Sequence, residues 1–273
     1  QVRHIKGSPF RMLVQPDRTV ALETIASGKG LVDVVAGDWA SFVIHPRDIR
    51  ENPRGAWAEF DQFTANLTLV SHDGQGIGGG PVDASTVTFD KAKGVFNVRY
   101  RIFNSGNWSL GVFFLERNHT QSNLEAKFRH IRGSPFPVQV YEAAPTGLSS
   151  DAFGEGLYYG VAGEPHVFTI RVRDHLRNIR EFHDDRGHFL VNAYHPDHLE
   201  VYPGVVRKLY GDGQEGNYSV TYVPTRTGKN IRLDVKVNSY HVANKGSPSE
   251  YLKSSPWTIE VNSTYADPLT TSA

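Results

Sequence analysis

The sequence predicts an all-β fold, two antiparallel β-sandwiches in tandem, and three observations predict it. Apolar residues alternate with polar ones in short runs, the period-2 pattern of strands with one buried face. Gly and Pro, 26 and 15 among 273 residues, punctuate those runs. One set of short motifs recurs at a spacing of 126 residues, the length of a whole domain and far longer than a solenoid unit.

The alternation places the strands in order. In the first half, Phe42 and Ile44 begin an inward row. Phe63, Ala65, Leu67 and Leu69 form the next, then Phe96, Val98 and Tyr100, then Trp108, Leu110, Val112 and Phe114. Phe136, Val138 and Val140 close the unit. The second half repeats this with Phe168/Ile170/Val172, Phe189/Val191/Ala193, Tyr218/Val220/Tyr222, Ile231/Leu233/Val235/Val237 and Trp257/Ile259/Val261. With a first strand and one more after each third row, the count is about seven strands per unit. One apolar and one polar face per strand suits two sheets packed face to face. "RDIRENPRGAWAEF" (Arg47–Phe60) has room for one short helical turn, because Pro53 and Gly55 interrupt it.

The repeat sets the boundaries. "HIKGSPF" (His4–Phe10) returns as "HIRGSPF" (His130–Phe136), "GKGL" (Gly28–Leu31) as "GEGL" (Gly154–Leu157), and Arg47-Asp48 as Arg173-Asp174. After the Gly-rich "SHDGQGIGGGP" (Ser71–Pro81) the register slips. "GVFNVRY" (Gly94–Tyr100) then matches "GNYSVTY" (Gly216–Tyr222) at 122 residues, and a degenerate "SSPWTIEV" (Ser254–Val261) ends the second copy. Residues 18–141 and 143–261 are therefore read as the two repeats. Residues 1–14 read as the closing strand of a preceding repeat, and 262–273 as a linker or tail. "YEAAPTG" (Tyr141–Gly147) joins the repeats as a short, semi-rigid linker. The apolar row of Ile5–Val14 is expected to be held by one of the repeats or by another chain, since an orphan strand leaves its edges unpaired.

These motifs resemble the filamin-type immunoglobulin repeat: Gly-x-Gly-Leu, Phe-x-Ile, Gly-x-(Phe/Tyr)-x-Val-x-Tyr, and Gly-Ser-Pro-Phe leading into an alternating strand. The resemblance implies tandem seven-stranded immunoglobulin-like sandwiches with sheets A-B-E-D and C-F-G. It implies spacers and docking modules without catalysis. It also implies partner proteins that add a strand beside strand C, with main-chain hydrogen bonds for affinity and side-chain pockets for specificity. The repeats are longer than the family's usual length, through Arg47–Asp61 and Ser71–Pro81, and no actin-binding region is visible.

Composition narrows the function. Lys+Arg and Asp+Glu balance at 29 each, which leaves no electrostatic footprint for nucleic acid or an anionic membrane. No segment has the ~20 apolar residues of a membrane helix. Cysteine is absent, so disulfides, thiolate metal sites and thiol catalysis are excluded. Five sequons, at Asn66, Asn107, Asn118, Asn217 and Asn262, fall at outward, turn or strand-end positions and predict an extracellular or cell-surface glycoprotein. The alternative is an intracellular filamin-like scaffold for cytoskeletal or signalling partners.

The candidate docking site is strand C of the second repeat. Leu190, Asn192 and Tyr194 face outward there, where the first repeat has Thr64, Asn66 and Thr68. A protein partner is expected at that face, by strand addition or homotypic contact, while a glycan on Asn66 would shield its counterpart. Other constellations are weak. His183, His188, His195 and His198 lie near Asp184, Asp185 and Asp197, yet "HPDH" (His195–His198) fixes no third ligand and reads as a solvated turn. Gly74, Gly76 and Gly79 fit a dinucleotide fingerprint, but Pro81 and a strand follow instead of a helix. No nucleophile elbow surrounds any Ser. The expectation is no enzyme, cofactor, metal or small-molecule substrate.

Overall fold

The computed structural model describes residues 3–70, 82–117, 126–181, 188–243 and 254–263. The chain forms two compact units, Gln1–Val34 with Asp38–Val140 and Val35–Gly37 with Tyr141–Ala273.

The first unit holds strands β1 (Ile25–Ser27), β2 (Asp33–Val35), β3 (Trp39–His45), β4 (Phe63–Val70), β5 (Val82–Asp90), β6 (Val95–Ile102), β7 (Gly106–Arg117), β8 (Ala126–His130) and β9 (Phe136–Tyr141). One sheet runs β1-β3-β6-β5, the other β2-β9-β7-β4, with β8 paired to β7. These are the expected A-B-E-D and C-F-G orders, with part of the first strand added to the second sheet. The inward rows meet as the alternation requires: Phe42, Ile44, Phe96, Val98 and Tyr100 face Trp108, Leu110, Val112, Val138 and Val140, all buried. Phe63 packs between Phe96 and Phe114, with centroids 4.8 and 5.1 Å away.

The second unit repeats the plan with β10 (Asp151–Phe153), β11 (Tyr159–Val161), β12 (His166–Arg171), β13 (Phe189–Tyr194), β14 (Val201–Pro203), β15 (Val205–Lys208), β16 (Asn217–Tyr222), β17 (Gly228–Val237), β18 (Tyr240–His241) and β19 (Trp257–Asn262). Its sheets run β10-β12-β16-β15 and β11-β19-β17-β13-β14, with β18 on β17.

The described strands exceed seven per unit for a physical reason. The Gly-x-Gly-Leu motif is a 3₁₀ turn, Lys29–Leu31 and Glu155–Leu157. It breaks the first strand and passes the chain from one sheet to the other. Gly30 and Gly156 allow the close crossing: a Cβ on Gly156 would lie 2.7 Å from the Val167 carbonyl oxygen. The short helical turn expected within Arg47–Phe60 is the 3₁₀ segment Gly55–Ala58.

The opening motif is a complete local turn. Ser8 N donates to Ile5 O at 3.0 Å, as Ser134 N does to Ile131 O at 3.1 Å. His4 Nδ1 and His130 Nδ1 each sit 2.8 Å from Ser Oγ four residues on. Tertiary burial differs sharply. Ile131, Val138 and Val140 are at most 1% exposed, whereas Ile5, Phe10, Met12 and Val14 are 66–86% exposed. Among the described residues, no strand of either repeat pairs with Ile5–Val14. Asn262, expected to begin a linker, ends β19 instead.

Candidate docking faces

Strand β13 presents its side chains on the register set by β17: Leu190 opposite Lys236, Asn192 opposite Asp234, Tyr194 opposite Arg232. Leu190 is 49% exposed. Asn192 Nδ2 donates to the Tyr194 hydroxyl at 3.1 Å. Arg232 grips Asp234 with two bonds of 2.7 and 3.2 Å, and that carboxylate pushes the Arg232 pKa up. The polar groups of this face are thus largely satisfied among themselves, and Leu190 is its apolar point.

The edge of β13 is another matter. β14 pairs with its second half, Asn192↔Pro203, Ala193↔Tyr202 and Tyr194↔Val201. Val191 O also accepts Gly204 N at 2.8 Å. The expectation of strand addition beside Asn192 and Tyr194 is corrected accordingly, because the chain's own segment already takes those main-chain groups. Sequence reasoning missed β14, since three residues ending in Pro203 give no alternation to find. In the first unit the order ends at β4.

The sequon residues divide. Asn66 and Asn107 are exposed on the outer face of the β2-β9-β7-β4 sheet, and Asn262 is exposed at the end of β19. Asn118 lies outside the described residues. Asn217 corrects the expectation of an outward side chain: it is 3% exposed. Its Oδ1 accepts Arg171 Nε at 3.0 Å, and its Nδ2 donates to Gln214 Oε1 at 3.1 Å. The amide closes the turn before β16, so strand alternation alone misplaced it.

Of the histidine cluster, His195 and His198 are neighbours. His195 is buried, its Nε2 lies 3.1 Å from Thr227 O, and its Nδ1 accepts Asp197 N at 3.2 Å. Both ring nitrogens are spent on the backbone, and the His198 ring lies at a 45° tilt with its centroid 4.6 Å away. His183, Asp184 and Asp185 lie outside the described residues, as do Gly74, Gly76 and Gly79. Among the described residues no group of three His, Cys, Asp or Glu side chains is placed to hold a metal. No described helix is long and apolar enough to cross a membrane.

Comparison with known proteins agrees with this geometry. Residues 146–249 match the Filamin/ABP280 repeat family. The chain is 30% identical over 118 residues to Filamin-A of Drosophila melanogaster, a match covering 43% of this chain and 4% of that protein. Among solved structures, the Escherichia coli adhesin FdeC aligns over 91% of this chain and 67% of its own, with TM-score 0.52 and 14% identity. Invasin, a bacterial integrin-binding protein, aligns over 90% and 41%, with TM-score 0.51 and 10% identity. At such identities these two show the fold alone. The second sandwich matches the Filamin/ABP280 repeat family over residues 146–249, and the first repeats its strand order and motifs.

Proposed function

We propose that the chain is a non-enzymatic spacer and docking segment of a cell-surface or extracellular protein. The observation that supports this reading is the pair Asn66 and Asn107. Both are exposed on one outer sheet face, where a glycan meets no core side chain. The filamin-type repeat supports the spacer and docking part of this reading, and the fold shared with the adhesin FdeC and with invasin supports the surface part. Docking is by protein contact. A partner's side chains meet Leu190 and Tyr194 on the second unit.

The test is glycosidase treatment of the protein from its native source, followed by peptide mass mapping. Mass loss at Asn66 or Asn107 is the expected result. An unmodified peptide at every sequon overturns the surface reading and favours an intracellular filamin-like scaffold.

A further inference from the structure

The same pair six positions apart, Asp48 with Arg54 and Asp174 with Arg180, recurs at the register of the repeat. Asp48 and Asp174 are buried carboxylates in the loop after strands β3 and β12. Each accepts backbone N–H groups and a side-chain amide from its own loop: Arg50, Asn52 and the Asn52 amide in one, Leu176, Asn178 and the Asn178 amide in the other. Each also reaches out of its loop to the chain arriving at the sandwich. Asp48 Oδ2 accepts Asp17 N at 3.1 Å, and Asp174 Oδ2 accepts Ala143 N at 3.0 Å.

The arginine completes the grip. Arg54 Nη1 donates to Asp17 O at 2.7 Å and to Pro16 O at 3.4 Å. Arg180 Nη1 donates to Glu142 O at 3.1 Å and to Ala143 O. Arg54 further spends Nε on Thr19 Oγ1 at 3.0 Å and Nη2 on Trp57 O at 2.8 Å. A two-residue stretch ahead of each sandwich is therefore held on both its N–H and its C=O by charged groups, whose bonds exceed neutral ones in strength. The held residues lie one position beyond Gln15 and Tyr141, immediately after the closing-strand motif of each copy.

We infer that this carboxylate–guanidinium pair is a mechanical clamp, which directs tension on the arriving chain into the loop between the second and third main strands. The inference rests on the spacer reading and says how such a spacer bears force. Without the clamp, tension would pass through the Val20 N–Arg47 O bond and the Thr19 Oγ1–Asp61 contact to β1, whose ladder to β3 has three residue pairs, Ile25↔His45, Ala26↔Ile44 and Ser27↔Val43. Such a ladder opens one pair at a time from its end. With the clamp, several charge-assisted bonds in the loop must break together before β1 feels the pull.

The absence of cysteine allows clean placement of handles for single-molecule pulling of the full chain. One tether uses Gln15→Cys, ahead of the clamp, and the other Leu22→Cys, an exposed site behind it. Both share a C-terminal handle. The expected result is a higher unfolding force for one event with the Gln15→Cys tether, and loss of that difference in Arg54→Ala. Arg54→Lys, which keeps the charge but lacks the fork of donors, serves if Arg54→Ala does not fold, and the same loss is expected. Equal forces from the two handles in the unaltered background, or a difference that survives both substitutions, overturn the clamp. The readout is independent of glycosylation and location, so it stands or fails apart from the surface reading.

Discussion

The Tyr222 hydroxyl donates to the Gly156 carbonyl at 2.5 Å, inside the second sandwich. Tyr100 makes the same bond to Gly30 in the first. Two motifs far apart in sequence, Gly-x-Gly-Leu and Gly-x-(Phe/Tyr)-x-Val-x-Tyr, are thereby one structural unit. The tyrosine satisfies a carbonyl that the 3₁₀ turn would otherwise leave buried and unpaired. Tyr222→Phe is expected to cost the second unit ~1–3 kcal/mol, since it strands that carbonyl. Calorimetry should show one transition lowered and the other unmoved.

The same tyrosine predicts an alkaline response. Burial pushes the Tyr222 pKa well above its ordinary value of 10.0. The folded state favours the neutral hydroxyl, so its contribution is full below pH 10 and falls as pH rises beyond it. Urea midpoints measured between pH 9 and 11 (an interval bracketing that ordinary value) should decline less steeply in Tyr222→Phe than in the unaltered chain.

Acid acts on the first unit through Asp48. Its carboxyl is held down to about 2, from an ordinary 3.8, chiefly by the Asn52 side-chain amide and then by the N–H groups of Asn52, Arg50 and Asp17. A depressed carboxylate contributes above its unfolded value and loses that contribution as pH falls through its folded one. Stability of the first unit should therefore drop between pH 3.8 and about 2, and Asp48→Asn should flatten that part of the profile. An unchanged profile in Asp48→Asn would show that other groups govern acid unfolding.

A size exchange distinguishes the two cores. His166 is buried in the second unit, where the matching residue of the first is Ala40. Gly160 makes the room: a Cβ there would lie 2.0 Å from His166 Cε1, and the first unit has Val34 at that place. Gly160→Val alone is expected to destabilise by ~1–3 kcal/mol through overpacking. Combining it with His166→Ala should recover most of that loss, a coupling that a double-mutant cycle measures directly.

Arg177 sits at φ 73°, in the left-handed region. Its carbonyl accepts Arg173 Nη1 at 3.1 Å, and its N–H donates to Asp174 O at 3.0 Å. Arg177→Gly removes a conformational cost of ~1–2 kcal/mol and adds entropy to the unfolded chain. A net gain of about 0.5–1 kcal/mol in the second unit is expected from denaturant unfolding.

Much of this was legible in the residues. Period-2 rows named the core: Phe42, Val98, Trp108 and Val138 are all buried. Alternation is a local property, and any strand with one wet face must show it. Where a side chain served a turn the rule failed, as at Asn217, which is buried to bond Arg171 and Gln214. The docking strand was legible as a face, with Leu190 exposed. It was not legible as an edge, because occupation of an edge depends on a segment several residues away, here Val201–Pro203.

By itself the sequence determined the strand rows, the 126-residue register and the Gly-Ser-Pro turn. That turn forms at His4–Phe10 with the same bonds as at His130–Phe136 because its partners are four residues apart or fewer. Only the tertiary structure decided what those elements meet. It joined Tyr222 to Gly156 across 66 residues, closed the edge of β13 with β14, and bound Asp48 and Arg54 to Asp17. Each of these depends on where distant backbone groups come to rest, and polar groups taken from water must find partners at whatever separation in sequence the fold supplies.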